Sequence, residues 1–277
     1  MKKSRIGFQG EHGAFSEAAI LSHFRGPVET IPNKTIRETF NSIEAGSANF
    51  AVVPVENSIE GSVYETYDML LTSSVKVIGE IVLRVVHCLI GLPGSKIADI
   101  KTVFSHPQAL AQCRSFIASL PIEPIVTYDT AGSVKMIKEK GLKEAAAIAS
   151  DKAAQLYGMN VLAKGIEDYG RNYTRFFVIS KNEAKRTKDS KTSLIFSVPH
   201  TPGSLYKTLE VFARNGINLT KIESRPTRQR PWEYYFFLDF EGHRQDKKCA
   251  PVLSELATKT VFLKVLGSYP KSKTELS

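Results

Sequence analysis

The sequence predicts an α/β protein of two lobes, followed by a smaller ferredoxin-like βαββαβ module. Three observations carry this reading. Over the first 180 of 277 residues, short apolar runs alternate with helical patterns, the order of a mainly parallel sheet. The β-prone stretch Val75–Leu92 is longer than one strand needs and can pass from one sheet into a second, giving two lobes. Residues 181–192 (KNEAKRTKDSKT) hold one apolar residue, Ala184, and cannot bury themselves. The domain boundary is therefore placed there, between residues 1–181 and 193–270.

The elements follow in order. Arg5–Phe8 reads as a strand and Phe15–Phe24 as a helix. Thr35-Ile36-Arg37-Glu38 is a capping box opening a second helix, and Phe50–Val55 is a buried strand. Ser62-Val63-Tyr64-Glu65 repeats the box pattern, with Val63, Tyr67, Leu70 and Leu71 on one helical face. Thr102–Phe104 is a short strand, and His106-Pro107 starts a helix, proline being suited to the first helical position. Leu110, Cys113, Phe116, Ile117 and Leu120 form its apolar stripe. Ile122–Val126, Ala145–Ile148 and Arg175–Ser180 are further strands. The last section reads as strand Ser193–Val198, a helix from Pro202 with Leu205, Leu209 and Phe212 on one face, and strands Asn218–Ser224 and Glu233–Phe240. Helix Asp246–Ala257 and strand Val261–Ser268 complete it.

Hydrophobic residues make up 42% and charged residues 23%, which excludes a disordered, collagenous or membrane-dominated chain. The most apolar stretch, Ile81–Leu92, is interrupted by Arg84 and His87 and is too short to span a bilayer. No apolar segment follows the basic start Met1-Lys2-Lys3, so no signal peptide is expected. Cys88, Cys113 and Cys249 are odd in number and widely spaced, which points to reduced thiols and a cytoplasmic protein. The net charge is +9, yet residues 1–180 carry 19 basic and 18 acidic side chains. The excess lies in residues 181–192 and in the last third. Arg225, Arg228 and Arg230 with the linker lysines raise nucleic-acid binding, but no helix-turn-helix or RRM signature accompanies them. Neither a nucleic-acid nor a membrane partner is expected.

In open α/β sheets, ligands sit beyond the carboxyl ends of strands, and polar clusters fall there. After the first strand comes Gly10-Glu11-His12-Gly13-Ala14-Phe15-Ser16. Small residues let main-chain N–H groups approach an anion at a helix start, although a tight turn explains the same residues. GxGxxG is absent, so this is no dinucleotide fingerprint. Glu56-Asn57-Ser58 follows the buried strand and makes either a polar pocket wall or a self-bonded turn. Ser105-His106-Pro107-Gln108 gathers donors at a helix start, where Ser105 or His106 also suits a cap and His106 suits acid–base chemistry. Tyr128-Asp129-Thr130-Ala131-Gly132-Ser133 offers Thr130 to a ligand, or Asp129 or Thr130 to a cap. Asn172-Tyr173-Thr174-Arg175-Phe176 sets an arginine, able to grip a carboxylate bidentately, beside a hydroxyl able to reach a reacting atom. There is no GxSxG elbow, HExxH pair, Walker loop or carboxylate cluster for a metal. The pooled groups suit a small anion handled without a cofactor.

Together these segments resemble the prephenate dehydratase family. The resemblance rests on Gly10-x-x-Gly13-x-Phe15-Ser16, Val53-Pro54-Val55-Glu56-Asn57-Ser58, Ser105-His106-Pro107-Gln108-Ala109-Leu110 and Asn172-x-Thr174-Arg175-Phe176. Pro202-Gly203-Ser204-Leu205 and Glu223-Ser224-Arg225-Pro226 resemble that family's ACT regulatory domain, with Ser204 where relatives often have alanine. The resemblance spans roughly residues 5–270 and implies a two-lobed, periplasmic-binding-protein-like catalytic domain with its active site in the cleft. It implies conversion of prephenate to phenylpyruvate with loss of CO2 and water in phenylalanine synthesis, without cofactor or metal. Thr174 would contact the leaving hydroxyl as a donor or relay, and Glu56, if buried with a raised pKa, could supply the proton. Gly10, Gly13, Ser16, Asn57, Ser58, Ser105, Gln108, Thr130, Asn172, Arg175 and Phe176 would bind substrate. L-phenylalanine would bind Gly203, Ser204, Leu205, Asn218, Leu219, Glu223 and Ser224 at a subunit interface of a homodimer or homotetramer and inhibit the enzyme. A chain whose dehydratase section starts by residue 5 reads as monofunctional. Arogenate dehydratase, the same chemistry on the aminated substrate, and a non-catalytic phenylalanine-sensing module are the alternatives.

Overall fold

The computed structural model describes residues 3–228 and 230–272. The first lobe runs β1 (Ser4–Gln9), α1 (Phe15–His23), β2 (Val28–Asn33), α2 (Ile36–Glu44), β3 (Phe50–Asn57), the two-residue β4 (Gly61–Ser62), α3 (Tyr64–Thr72) and β5 (Lys76–Arg84). The second lobe runs β6 (Cys88–Gly91), β7 (Thr102–Ser105), α4 (Pro107–Gln112), α5 (Arg114–Ala118), β8 (Glu123–Val126), α6 (Thr130–Lys140), β9 (Ala145–Ala149), α7 (Asp151–Tyr157) and β10 (Asn160–Lys164). The chain then returns to the first sheet as β11 (Tyr173–Ser180). Sheet orders are β2-β1-β3-β11-β5, with β4 on β3, and β10-β6-β9-β7-β8.

β1 pairs in parallel with both β2 and β3. Ile6, Phe8, Ala51, Val52, Val53 and Val55 are wholly buried, the near-continuous apolar run that a doubly covered parallel strand requires. Leu89, Val103, Ala146 and Ile148 centre the second core. Thr35 caps α2 by accepting from Glu38 N at 3.1 Å, but the Glu38 carboxylate reaches Lys34 N rather than Thr35 N. The periodicity reading passes over β2 and β10. Both are sheet edges, and VETIPN and NVLAK bury too little to write an apolar run.

Val75–Leu92 does divide between the sheets, as β5 and β6, with the crossover at Val85–His87. The return crossover runs beside it. Val85 N donates to Asn172 O at 2.8 Å, and Gly165 N and Ile166 N donate to His87 O at 2.9 and 3.2 Å. This paired crossover, with the strand ends around it, forms the floor between the lobes.

The chain gathers into two compact units: residues up to 66 with 81–176, and residues 67–80 with those from 177 onward. The second contains β12 (Ser190–Ser197), α8 (Ser204–Arg214), β13 (Leu219–Pro226), β14 (Tyr234–Glu241), α9 (Cys249–Lys259) and β15 (Phe262–Pro270). The antiparallel order β13-β14-β12-β15 is the ferredoxin-like arrangement. Its helices cover Leu194, Phe196, Leu238 and Phe240 with Val211, Phe212, Val252 and Leu256. β12 begins three residues earlier than its apolar run. Lys191 is drawn into the strand by a buried ion pair with Glu80 at 3.1 Å, so the end of the charged stretch is sheet and not linker. α9 begins at Cys249 because Asp246 is used ahead of the helix, its carboxylate accepting from His243 N and its carbonyl from Cys249 N.

Candidate active site

Between the lobes lies a cavity of about 170 Å³. The first lobe contributes Gln9, Ala14, Phe15 and Ser16 from the β1–α1 turn, Pro54 and Asn57 from β3, and Thr174 and Phe176 from β11. The second contributes His106, Gln108, Ala109 and Gln112 along α4, and Tyr128, Asp129 and Thr130 at the start of α6. Val85 and His87 come from the crossover. Alternation along β11 turns Thr174 and Phe176 inward and Arg175 to the other face.

The polar floor is a chain of amides whose orientation is set from one end. Asn57 Oδ1 accepts from Ile59 N and Glu60 N, both at 3.0 Å, so its Nδ2 must face inward. That nitrogen donates to Asn172 Oδ1 at 2.7 Å, Thr174 Oγ1 at 3.1 Å and Tyr173 O at 3.2 Å. Asn172 Nδ2 then donates to Gln112 Oε1 at 2.9 Å, and the same oxygen lies 2.9 Å from His87 Nε2. Because Asn57 donates to Thr174 Oγ1, the threonine's own proton is left to point elsewhere. Thr174 is thereby a hydrogen-bond donor in a cavity wall.

Asp129 is the carboxyl of this cavity. It is 8% exposed, it caps α6 by accepting from Gly132 N at 2.6 Å, and burial pushes its pKa above the usual aspartate value. His106 caps α4, its Nδ1 accepting from Gln108 N at 3.2 Å, and burial holds its pKa low. The ring is therefore an acceptor at Nδ1 in this position.

Of the residues marked from sequence, Ser16, Asn57, Gln108, Thr130, Thr174 and Phe176 line the cavity. Asn172 is fully buried behind it and relays the amide chain. The others serve different ends. Gly10 N donates to Asn33 O and Gly13 N to the Glu17 carboxylate, so neither N–H is available to an anion. Ser105 is buried and donates to Ile148 O at 2.6 Å. Ser58 is zipped to the return crossover, donating to Arg171 O and accepting from Tyr173 N. Glu56 and Arg175 lie 3.7 Å apart outside the cavity lining, with the Glu56 side chain 35% exposed. Glu56 is thus paired with Arg175 and partly exposed, whereas the Asp129 carboxyl is buried and lines the cavity. Sequence reasoning also misses Gln112 and His87. Gln112 lies one helical turn beyond Gln108, a spacing that marks one face of α4. Among the described residues, no group of three His, Cys, Asp or Glu side chains is placed to hold a metal ion.

In the βαββαβ module, Gly203, Ser204 and Leu205 border a separate cavity of about 580 Å³ with Trp232, Tyr234 and Phe236. Gly203 has φ +81°, which only glycine adopts readily, and so admits the turn into α8. Asn218 borders a different cavity, beside Glu241 and Lys248, and Leu219, Glu223 and Ser224 lie along β13. One chain therefore does not bring the two sets of effector-marked residues into one pocket.

Comparison with known proteins bears on both modules. Residues 6–184 match the family model described as prephenate dehydratase, and residues 192–257 match the ACT domain. A bifunctional chorismate mutase/prephenate dehydratase of Aquifex aeolicus is 45% identical over 98% of this chain and 75% of its own length. The Arabidopsis thaliana chloroplastic arogenate dehydratase/prephenate dehydratase 2 is 40% identical over 98% and 74%. Among solved structures, a prephenate dehydratase from Arthrobacter aurescens in complex with L-Phe superposes with a TM-score of 0.88 at 32% identity, covering 98% of this chain and 91% of that one. A protein described as a novel type of quorum-quenching acylase also reaches 0.88, at 37% identity over 97% and 98%. The chain belongs to the prephenate dehydratase family of hydro-lyases and carries that family's C-terminal ACT domain.

Proposed function

We propose that the chain converts prephenate to phenylpyruvate, CO2 and water in L-phenylalanine biosynthesis, and that L-phenylalanine inhibits it through the ACT domain. The observation that carries this is Thr174. Its oxygen is held by Asn57 and its proton is free to meet a leaving hydroxyl. Prephenate is a dianion whose ring hydroxyl must depart as the ring carboxylate leaves as CO2. The electrons of the broken C–C bond complete the aromatic ring, and the C–O bond breaks with them. The hydroxide becomes water by taking one proton. Thr174 is too weak an acid to supply it and acts as donor and relay. Asp129, kept protonated more readily by burial, takes the proton-donor role that the sequence gives to Glu56. The α1 and α6 N-termini, at Phe15–Ser16 and Thr130, border the cavity and favour the substrate's negative charge. Phe15, Phe176 and Val85 give the departing carboxylate a poorly solvating wall, which suits a group that must shed its charge.

Ser204 at the α8 N-terminus suits the effector's carboxylate, and the aromatic wall of the neighbouring cavity suits its ring. Asn218 and the β13 residues join that site from a second copy, so the enzyme acts as a homodimer or homotetramer. Three buried, unpaired cysteines accord with a reducing cytoplasm. The test is to supply purified protein with prephenate and with arogenate and to follow phenylpyruvate and phenylalanine formation, with and without added L-phenylalanine. Thr174→Ala should lower kcat by about 100-fold or more while leaving the unfolding transition in place. Near-normal turnover by that variant removes Thr174 from the reaction.

A further inference from the structure

His87 lines the cavity from the crossover between the lobes and is 3% exposed. Its main chain is fixed at both ends. His87 N donates to Glu167 Oε2 at 2.9 Å, and its carbonyl accepts from Gly165 and Ile166. Its ring packs edge-on against Phe15, with centroids 5.5 Å apart. The amide chain then decides its tautomer. Ile59 and Glu60 N–H orient Asn57, Asn57 orients Asn172, and Asn172 orients Gln112 with Oε1 toward the histidine. A carbonyl oxygen only accepts, so His87 Nε2 carries the proton. Nδ1 is then a lone-pair acceptor, and it is buried with no hydrogen-bond partner among the described residues. A buried acceptor left unpaired in the free protein is costly and is retained where a ligand completes it. Burial also lowers the His87 pKa, with Gln112 and Glu167 opposing.

The geometry points to His87 Nδ1 as a substrate-positioning acceptor: it takes a hydrogen bond from an O–H or N–H donor of the bound substrate. This rests on the dehydratase reading above. Prephenate offers one such donor, the ring hydroxyl, whereas arogenate adds an ammonium group. The wall formed by His87 therefore reads the donor content of the substrate, opposite in sense to the donor Thr174.

Two conservative variants separate the ring nitrogens. In His87→Asn the side-chain amide falls near the place of Nδ1, and in His87→Gln near that of Nε2. Steady-state kinetics on both substrates should give a kcat/KM about tenfold or more below wild type for His87→Gln, with His87→Asn recovering most of it. Equal losses on prephenate and arogenate identify the ring hydroxyl as the donor, and a loss confined to arogenate identifies the ammonium. Recovery by His87→Gln and not by His87→Asn would leave His87 as a mere prop for Gln112 and overturn the assignment. Ring 15N spectra of the unmutated protein stand apart from the folding of any variant. They should give a pyrrole-type Nε2 and a pyridine-type Nδ1 over the assay pH range, and the opposite tautomer refutes the inference. Failure of wild-type protein to turn over either substrate would instead refute the dehydratase reading.

Discussion

Asp129 caps a helix with the same carboxyl group that is proposed as the proton donor. Oδ1 caps α6 through Gly132 N, and burial raises the pKa of the group. Asparagine preserves the cap and cannot deliver a proton. Asp129→Asn is therefore expected to lower kcat by about 100-fold or more, whereas Glu56→Gln, altering an ion pair outside the cavity, should cost less. A small effect of Asp129→Asn would move the proton source elsewhere. The same variant has a stability signature. A carboxyl with its folded pKa above the ordinary 3.8 contributes stability that is complete below the unfolded value and is lost as pH rises through the folded one. The uncharged asparagine has no such loss. Wild type should thus match or exceed the variant in acid and fall behind it as pH climbs toward neutrality, in melting curves taken across that range. Reading polar residues at strand ends picks out Thr174, Asn57, Ser16, Gln108 and Thr130, which line the cavity. It passes over His87, which follows a strand end without a polar cluster. It also picks out Glu56 and Arg175, which strand alternation turns away from the cavity lining, a matter that only the sheet's orientation decides.

At the scale of elements, the β1–α1 turn is a clasp between the lobes. Ser150 Oγ donates to Gly13 O at 2.7 Å, Tyr157 OH to His12 O at 3.1 Å and Tyr128 OH to Glu11 at 2.8 Å. Gly13 sits at φ +92°, and a Cβ there would meet Ala153 Cα at 2.8 Å, main chain that cannot swing away. Gly46 also has a positive φ, +73°, but faces open space. Gly46→Ala should cost about 1 kcal/mol, the strain of a left-handed conformation alone. Gly13→Ala should cost distinctly more in urea unfolding and raise KM, because α7 must retreat from the turn that positions Ser16. Equal costs would mean that the clasp yields easily. The glycines are legible in the sequence as a turn, but not as an inter-lobe contact, since Ala153 lies 140 residues away in the chain. Edge strands β2 and β10 are hidden for a related reason: half-exposed pairing leaves no periodic apolar signal.

For the whole molecule, the stretch from Tyr67 to Glu80 belongs with the ACT domain, although it interrupts the catalytic sequence. Tyr67 packs on Phe237 at 4.5 Å between centroids, and Arg225 pairs with Asp68 at 2.6 Å. Lys264 Nζ donates to the carbonyls of Leu70, Leu71 and Ser73 at 2.8, 2.9 and 2.6 Å, closing the C-terminal end of α3. The two ends of this stretch continue directly into the catalytic unit. Upstream, Thr66 Oγ1 donates to Pro54 O on β3 at 2.6 Å, and downstream β5 leads to Val85 at the cavity. If the effector acts on β13–β14, the stretch 67–80 is expected to carry its influence, because the chain runs on from it toward the cavity residue Val85. Lys264→Met removes three main-chain partners at the end of α3 without touching substrate or effector residues. It should leave kcat within about twofold of wild type and weaken L-phenylalanine inhibition by about fivefold or more, the lower range of ordinary allosteric coupling. Calorimetry should find L-phenylalanine still bound, so that the loss lies in transmission rather than recognition. Unchanged inhibition by Lys264→Met would place the route outside residues 67–80.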